Sequence, residues 1–193
     1  MAVREIRIWP DPALTTAAQP VERVDASVLQ LVDDLFETLY DAPGVGLAAN
    51  QIGVLLRVLV IDLDPHGSAK EDPEQQKELD DCGFTGPRVF INPEIIEATG
   101  SIIWDEGCLS IPGVTESVKR HDKVTIRALD KNGEPFTITG TGLYAVAMQH
   151  ETDHINGKVF ADRLSKLKRD VIRRKMLHLK TEKQEEARPA VAI

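Results

Sequence analysis

A five-residue motif in the C-terminal half of the chain has the residue types and spacing of a metal site. His150-Glu151-Thr152-Asp153-His154 has the form H-E-x-x-H. On a helix, residues four apart share one face, so both imidazoles can reach one metal ion. Glu151 follows the first ligand closely enough to handle a proton of metal-bound water. Two ordinary histidines on an exposed helix are the alternative interpretation of so short a motif.

A catalytic metal needs a third protein ligand. A histidine six residues after the second one is ruled out, because that position is Phe160. The acidic residues further along are Asp162, Asp170 and Glu182. They adjoin the basic C-terminal segment or lie within or beyond it, which is a poor setting for a buried ligand. Cys108 is the best candidate, since a thiolate is a strong ligand for iron or zinc. Taken alone, this cysteine would more simply be a small buried apolar residue.

The hydrophobic pattern predicts the elements that position these residues. A helix is predicted over residues 25–40, capped by Asp25 or Ser27, and a second over 141–156, ending at Gly157 and carrying the H-E-x-x-H motif. Strand-like segments are 55–63, 88–91, 95–104, 123–129 and 136–139, with a hairpin at Asn132-Gly133. Strands grouped between helices favour an α+β fold, with small antiparallel β-sheets packed around a central H-E-x-x-H helix and a C-terminal helix.

One domain is expected to account for the chain, whose 193 residues and 42% hydrophobic content suffice for a single core. Residues 1–160 would form the catalytic part, with an acidic, turn-rich surface insertion at about 64–87 that stays outside the core. Residues 161–193 would form a basic helix and tail of the same domain. Residues 163–180 contain eight Lys/Arg and one acid, so they carry +7 and the remainder −15. This asymmetry favours a contact with a polyanion.

The sequence predicts neither a signal peptide nor a membrane span. Charged residues occupy the N-terminus, where a signal peptide requires an apolar stretch. The most apolar segment, residues 54–63, is too short for a bilayer and contains Arg57 and Asp62. A cytoplasmic location is therefore expected. In a reducing compartment the two cysteines, Cys82 and Cys108, would be free, metal-bound or catalytic rather than disulfide-bonded.

Three motifs together resemble the signature motifs of peptide deformylases. They are Gly44-Val45-Gly46-Leu47-Ala48-Ala49-Asn50-Gln51, Glu106-Gly107-Cys108-Leu109-Ser110 and Gln149-His150-Glu151-Thr152-Asp153-His154. They occur in the family's order with comparable spacing, and the similarity extends from about Val3 to His178. The tail after Gly157 resembles the bacterial type with a C-terminal helix, whereas the stretch at 64–87 is longer than expected for that type.

The resemblance implies an enzyme that removes the N-formyl group from the N-terminal methionine of newly synthesised polypeptides, releasing formate. It implies one divalent ion, natively Fe²⁺ and replaceable by Zn²⁺, Ni²⁺ or Co²⁺, on Cys108, His150 and His154. Glu151 would transfer protons, and the Gln51 side-chain amide and the Leu109 backbone N–H would stabilise the oxyanion. The substrate would be bound by Gly44, Val45, Gly46, Trp104, Glu106, Gly107, Leu143, Val146 and Ala147.

Two other classes of protein share part of this pattern. A zinc endopeptidase has H-E-x-x-H, but gives no reason for the Cys108 motif or for Gln51. A non-catalytic metal module that binds ribosomes fits the basic tail, but has no need of Glu151. The basic helix itself is either a solvated helix docked by its apolar edge or a contact to the ribosome near the exit of the nascent chain. Formyl-methionyl nascent peptides are the expected partners, and no membrane contact is expected.

Overall fold

A computed structural model of the protein describes residues 2–186. Its helices are α1 (Pro12–Thr15), α2 (Ala26–Asp41), α3 (Pro73–Asp81), α4 (Gly142–Ile155) and α5 (Lys166–Glu186). Its strands are β1 (Gly46–Ala48), β2 (Val58–Ile61), β3 (Arg88–Thr99), β4 (Ile102–Cys108), β5 (Ile111–Arg120), β6 (Lys123–Leu129) and β7 (Pro135–Thr141). Residues 187–193 of the expected basic tail lie outside the described residues.

The strands form two antiparallel sheets. Five strands pair in the order β1-β2-β3-β6-β7, and β4 pairs with β5 in a separate two-stranded sheet. The turn between β6 and β7 contains Asn132-Gly133, and the Gly133 N–H donates to the Asp130 carbonyl oxygen at 3.0 Å. The predicted hairpin and the predicted α+β fold are both confirmed.

Helix α4 lies in the middle of the molecule. Every residue from Tyr144 to Ile155 is buried, so the helix is enclosed on all sides rather than along one stripe. Its apolar residues join the core formed by strands β2, β3 and β6, through side chains such as Leu59, Phe90 and Ile126. The helix ends as expected at Gly157, where φ is +71° and an added Cβ would lie 2.9 Å from backbone atoms of residues 16 and 17. A helix packed in this way holds its side chains in fixed directions.

Helix α2 forms as the sequence predicts. The Asp25 side chain accepts hydrogen bonds from the N–H groups of Ser27 and Val28 and is therefore the N-cap. Its apolar face, including Leu35 and Leu39, is buried against the sheet next to β1 and β2. This packing supports the segment that follows the helix and enters the functional site.

The segment at 64–87 differs from the surface excursion that the sequence predicts. It contains helix α3, and Ala69, Leu79 and Phe84 are buried in the same core as Tyr144 of α4. Phe84 meets the Tyr144 ring edge-on at a centroid distance of 5.6 Å. The expectation that this segment stays outside the core is wrong, because three apolar anchors draw a mostly polar segment onto the domain.

Several predicted strand boundaries are also corrected. The segment 95–104 is interrupted at Gly100, where φ is +69° and the chain turns from β3 into β4. The segment 55–63 shortens to β2, and β1 forms at Gly46–Ala48, where no strand is predicted. Strand β5 is absent from the prediction because Pro112 and Gly113 open it and polar residues alternate along it. The local sequence of β5 does not favour a strand, and the pairing with β4 stabilises it.

The C-terminal helix α5 begins at Lys166, after a short 3₁₀ helix at Phe160–Arg163. Ile172 and Met176 are buried and pack in a cluster with Trp9, Leu14 and Phe160. The Lys168 ammonium lies 2.5 Å from a Glu116 carboxylate oxygen of β5, and Lys175 donates to the Gly113 carbonyl at 2.7 Å. Within residues 2–186, no helix combines the length and the apolar character that crossing a membrane requires.

Candidate active site

The three predicted metal ligands meet at one point. His150 and His154 lie one turn apart on α4, and Cys108 ends strand β4. Their ligand atoms all lie within 4.8 Å of one another, and the Cys108 Sγ is 3.3 Å from the His154 Nε2. Both histidine side chains are buried, while Cys108 is partly exposed towards a cleft.

The donor set fits a single divalent transition metal. Two imidazoles and one thiolate are the ligands of a zinc or iron site with an open fourth position. Burial, and then the charges of His150 and Arg120, lower the pKa of His154 well below its usual value, so His154 is a neutral base able to coordinate. Its Nδ1 is buried and has no hydrogen-bond partner among the described residues. Its Nε2 faces the Cys108 Sγ and is the ring nitrogen available to a metal ion.

His150 is oriented by a carboxylate behind it. Its Nδ1 lies 2.7 Å from the Glu106 Oε2, which leaves Nε2 for the metal position. Arg120 donates to both Glu106 oxygens, from Nε at 2.5 Å and from Nη2 at 2.8 Å. Burial opposes the charge on Glu106, but the hydrogen bonds from Arg120 and His150 outweigh it and lower the pKa of Glu106 to about 2. The Glu106 carboxylate is therefore ionised and held in one orientation.

The same guanidinium also binds the acid inside the H-E-x-x-H motif. Arg120 Nη1 donates to the Asp153 Oδ2 at 2.6 Å, and the Arg120 side chain is fully buried. Asp153 in turn accepts from Arg163 at 2.6 and 2.7 Å. Sequence reasoning missed Arg120 and Arg163, because their partners lie on other elements and no local motif marks them. Of these three residues, only Asp153 could be noticed from the sequence, because it lies inside the H-E-x-x-H motif.

Glu151 points into the site from α4. Its side chain is buried, and its Oε2 has no hydrogen-bond partner in the part of the chain that the structure describes. Burial, supported by the nearby charges of Glu106 and Asp153, raises the pKa of Glu151 to about 7 against the opposing charges of His150 and Arg120. A carboxyl group with a pKa near neutrality can both accept and return a proton. This environment is typical of a general acid–base.

Gln51 presents its amide to the ligand cluster. Its Oε1 accepts the Ala48 N–H at 2.9 Å, which fixes the amide orientation because a backbone N–H requires the oxygen. The Nε2 then faces the Ser110 hydroxyl at 3.3 Å and the Cys108 Sγ at 3.8 Å. The buried 3₁₀ helix at Ala49–Ile52 holds this side chain in place. Gln51 is thus a hydrogen-bond donor beside the metal position.

A cleft of about 660 Å³ opens onto these groups. Every residue predicted to bind substrate lines it, together with Gln51, Leu109, Glu151 and two of the three ligands. The additional apolar lining comes from residues that the sequence did not single out: Ile6, Ala42, Pro43, Ile111, Pro112 and Val114. A cleft with an apolar wall beside a metal position suits a peptide with an apolar side chain.

A candidate metal site of two histidines and one cysteine, with a buried carboxylate next to it, is typical of a hydrolase that uses a single metal ion. The family model described as polypeptide deformylase matches residues 3–170. The chain belongs to the peptide deformylase family, whose members are metallohydrolases that remove the N-formyl group from the N-terminal methionine of newly synthesised polypeptides and release formate. The expected family, fold and activity are confirmed.

Individual relatives agree with this assignment. A peptide deformylase of Pseudomonas aeruginosa is 50% identical over 177 residues, which cover 91% of this chain and 95% of the relative. One from Azotobacter vinelandii is 49% identical over the same length. A solved peptide deformylase from Legionella pneumophila, 45% identical, superposes with a TM-score of 0.81 over 97% of this chain and all of that one. The Ehrlichia chaffeensis enzyme in complex with actinonin is 37% identical, with a TM-score of 0.82 over 93% of this chain and 98% of that one.

Proposed function

We propose that deformylation in this chain uses Glu151 as the general acid–base, with Cys108, His150 and His154 as the metal ligands. The observation that supports this best is the buried Glu151 carboxyl with a pKa raised to about 7, next to three ligand atoms within 4.8 Å of one another. A zinc endopeptidase would use the same helix, but the Cys108 and Gln51 positions favour the deformylase. The retained carboxylate argues against a non-catalytic metal module.

Each polar group in the cleft has a distinct task. A bound divalent ion would supply a Lewis acid that lowers the pKa of water. Glu151 accepts the proton as water attacks the formyl carbon, and it then delivers that proton to the departing amine. The Gln51 amide and the Leu109 backbone N–H donate to the developing oxyanion. Losing one such donor typically costs roughly 3–4 kcal/mol of transition-state stabilisation.

The substrate peptide is proposed to extend along β1. This strand is at the edge of its sheet, and the cleft is lined by Gly44, Val45 and Gly46. An open strand edge can pair with the backbone of an extended peptide. The formyl-methionyl side chain would then enter the apolar pocket formed by Trp104, Leu143, Val146 and Ala147, and Glu106 and Gly107 complete the wall. An unbranched thioether fits an irregular apolar wall of this kind.

Two substitutions separate the proposed roles. Glu151→Gln should keep the metal and the fold and lose nearly all turnover, because only proton transfer is removed. His150→Ala should lose the metal. Formate release from a formyl-methionyl peptide, measured anaerobically, together with elemental analysis of each purified protein, gives both answers. A Glu151→Gln enzyme near the wild-type rate would refute the general-base assignment.

The native metal is proposed to be Fe²⁺, with Zn²⁺, Ni²⁺ or Co²⁺ as substitutes. A ferrous site with a thiolate ligand would be oxygen-sensitive, through oxidation of the iron and of Cys108. Elemental analysis after anaerobic purification, followed by activity before and after exposure to air, tests this. Full activity in metal-free protein would contradict the proposal.

The ribosome is proposed as a partner, through the exposed face of α5, and the cytoplasm as the location. Lys168, Arg169, Lys175 and Lys180 contact the body of the protein, but Lys166, Arg173 and Arg174 project from the exposed face. Truncation at Ser165 would remove the buried Ile172 and Met176, so replacing the three projecting cations by glutamate is the cleaner test. Phosphate contacts weaken steeply with salt.

The triple substitution should reduce co-sedimentation with ribosomes at low salt while sparing activity on small peptides. A matched control replaces three exposed lysines away from α5: Lys70, Lys123 and Lys131. Equal co-sedimentation of both variants and the wild type would eliminate the ribosome contact.

Residues 1–160 and the basic segment at 161–193 are proposed to form one domain. The support is the burial of Ile172 and Met176 among Trp9, Leu14 and Phe160, which come from the N-terminal part and from the segment after α4. Limited proteolysis between them should then release no stable fragment, because cleavage within α5 would expose this cluster. A stable fragment ending near residue 160 would contradict a single domain.

A further inference from the structure

A continuous chain of charge-assisted hydrogen bonds runs from the surface to the metal site. It begins at Arg163, passes through Asp153, Arg120 and Glu106, and ends at the Nδ1 of His150. Every donor–acceptor distance along it lies between 2.5 and 2.8 Å. Cations and carboxylates alternate, so each member is held by the opposite charge on the next.

Arg163 is the outermost member and binds in a bidentate manner. Its Nε and Nη2 each donate to a different oxygen of Asp153. This fork fixes the plane of the carboxylate as well as its position. The side chain is 41% exposed, whereas those of Arg120 and Glu106 are 0% and 3% exposed. Arg163 is thus the member of the chain that separates the buried ion pairs from solvent.

The surroundings of Arg163 show what its removal would admit. A recess of about 290 Å³ lies on this side of α4, and its lining includes Arg163, Arg120 and Gln149. Without the Arg163 side chain, water in this recess would reach Asp153 and Arg120 directly. A higher local dielectric weakens each remaining ion pair. Asp153 would also compete with Glu106 for Arg120, which would be the one guanidinium left in this chain of hydrogen bonds.

We infer that Arg163 is a positioning residue for the metal centre, because it fixes Asp153 and, through Arg120 and Glu106, the ring of His150. This inference rests on the proposed metal ligands and adds a residue from the start of the C-terminal segment. Partners behind a ligating histidine set its orientation and typically change metal affinity by about 10–100-fold when mutated. Arg163 lies three members further out along this chain of hydrogen bonds than Glu106, the direct partner of His150, so its effect is smaller.

The test compares metal release in three full-length variants. Arg163→Ala should release Co²⁺ or Zn²⁺ to a chromogenic chelator about three- to tenfold faster than the wild type, below the effect of a direct partner. Arg163→Lys keeps the positive charge but cannot make the bidentate contact to Asp153. Its metal release should therefore be slower than that of Arg163→Ala and faster than that of the wild type. Arg169→Ala is the matched control, because its guanidinium lies 3.6 Å from Asp162 near the same helix start and, within residues 2–186, makes no ion pair with a member of the hydrogen-bond chain. It should behave as the wild type.

A second readout separates positioning from stability alone. The visible absorption bands of the Co²⁺ protein should shift in Arg163→Ala and return towards the wild type in Arg163→Lys. Deformylation should lose kcat with little change in KM, because Arg163 does not line the substrate cleft. A lower melting temperature with unchanged metal release and an unchanged Co²⁺ spectrum would overturn the inference. Metal binding by His150→Ala at the wild-type level would instead overturn the metal-ligand assignment, and the inference with it.

Discussion

Gly46 provides a sharp test of the proposed role of Glu151, since the two residues are in close contact. An added Cβ at Gly46 would lie 2.6 Å from the Glu151 Oε1, 2.8 Å from Cγ and 2.9 Å from Cδ. Ordinary contact begins near 3.4 Å, so the carboxylate must retreat by roughly 0.8 Å. Because Cγ and Cδ are crowded as well, a rotation of the carboxylate alone does not relieve the contact, and the buried helix α4 holds the backbone.

We expect Gly46→Ala to bind metal normally and to lose about 100-fold in kcat, since a displacement near 1 Å costs on this order. That loss corresponds to about 2.7 kcal/mol in the activation barrier. The assay is anaerobic formate release from a formyl-methionyl peptide, with metal content and thermal unfolding measured on the same preparation.

Substitutions at two neighbouring glycines serve as comparisons for Gly46→Ala. At Gly44 the added Cβ would meet the Leu109 Cδ1 at 2.9 Å, the end of a flexible side chain, and at Gly107 the nearest atoms are 3.9 Å away. Losses should therefore be largest for Gly46→Ala, smaller for Gly44→Ala and smallest for Gly107→Ala. Near wild-type kcat in Gly46→Ala with metal bound would refute the reasoning that Glu151 must occupy its present position.

Three further predictions concern the pocket, the core and the response to acid. Ala147→Phe should impair formyl-methionyl substrates more than formyl-alanyl ones with metal still bound; equal losses in kcat/KM would show that Ala147 does not line the methionine pocket. Asn50→Ala should lower the free energy of unfolding by about 1–3 kcal/mol, because the buried Asn50 amide donates to two backbone carbonyls; an unchanged denaturation midpoint would contradict this. The pKa of Glu106 is lowered to about 2 from 4.5, so its stabilising contribution is complete above pH 4.5 and is lost as the pH falls through 2. The metal-free protein should lose about 3 kcal/mol over this range, and Glu106→Gln should flatten the profile.

The sequence could predict the parts of the site that are local along the chain. Two histidines four residues apart share one face of a helix wherever that helix packs, and Asp25 caps α2 through bonds to residues two and three positions on. The position of Cys108 followed from chemistry, because a catalytic site with two histidines lacks a ligand. These inferences require only helix geometry and the preferences of a metal ion.

The missed features depend on pairing between distant segments. Arg120 reaches Glu106, 14 residues away, and Asp153, 33 residues away, because β5 folds back on β4 and both pass beside α4. Nothing in its local sequence distinguishes it from the exposed Lys119. Helix α3, by contrast, carried a readable signal: Asp72 caps its N-terminus and Pro73 occupies the first turn. The polar composition of the surrounding segment obscured it.

Strand β1 has a consequence for the solution behaviour of the protein. The unpaired edge that could accept a nascent chain is equally a template for another copy of the same molecule, and such edges promote aggregation. Here the strand is only three residues long, and an extended strand advances about 3.3 Å per residue, so an intruding strand would gain few backbone bonds. A formylated peptide would gain additional binding from the metal and from the methionine pocket, which an arbitrary strand does not fill. The shortness of the edge would thus discourage self-association while leaving the cleft open to its substrate.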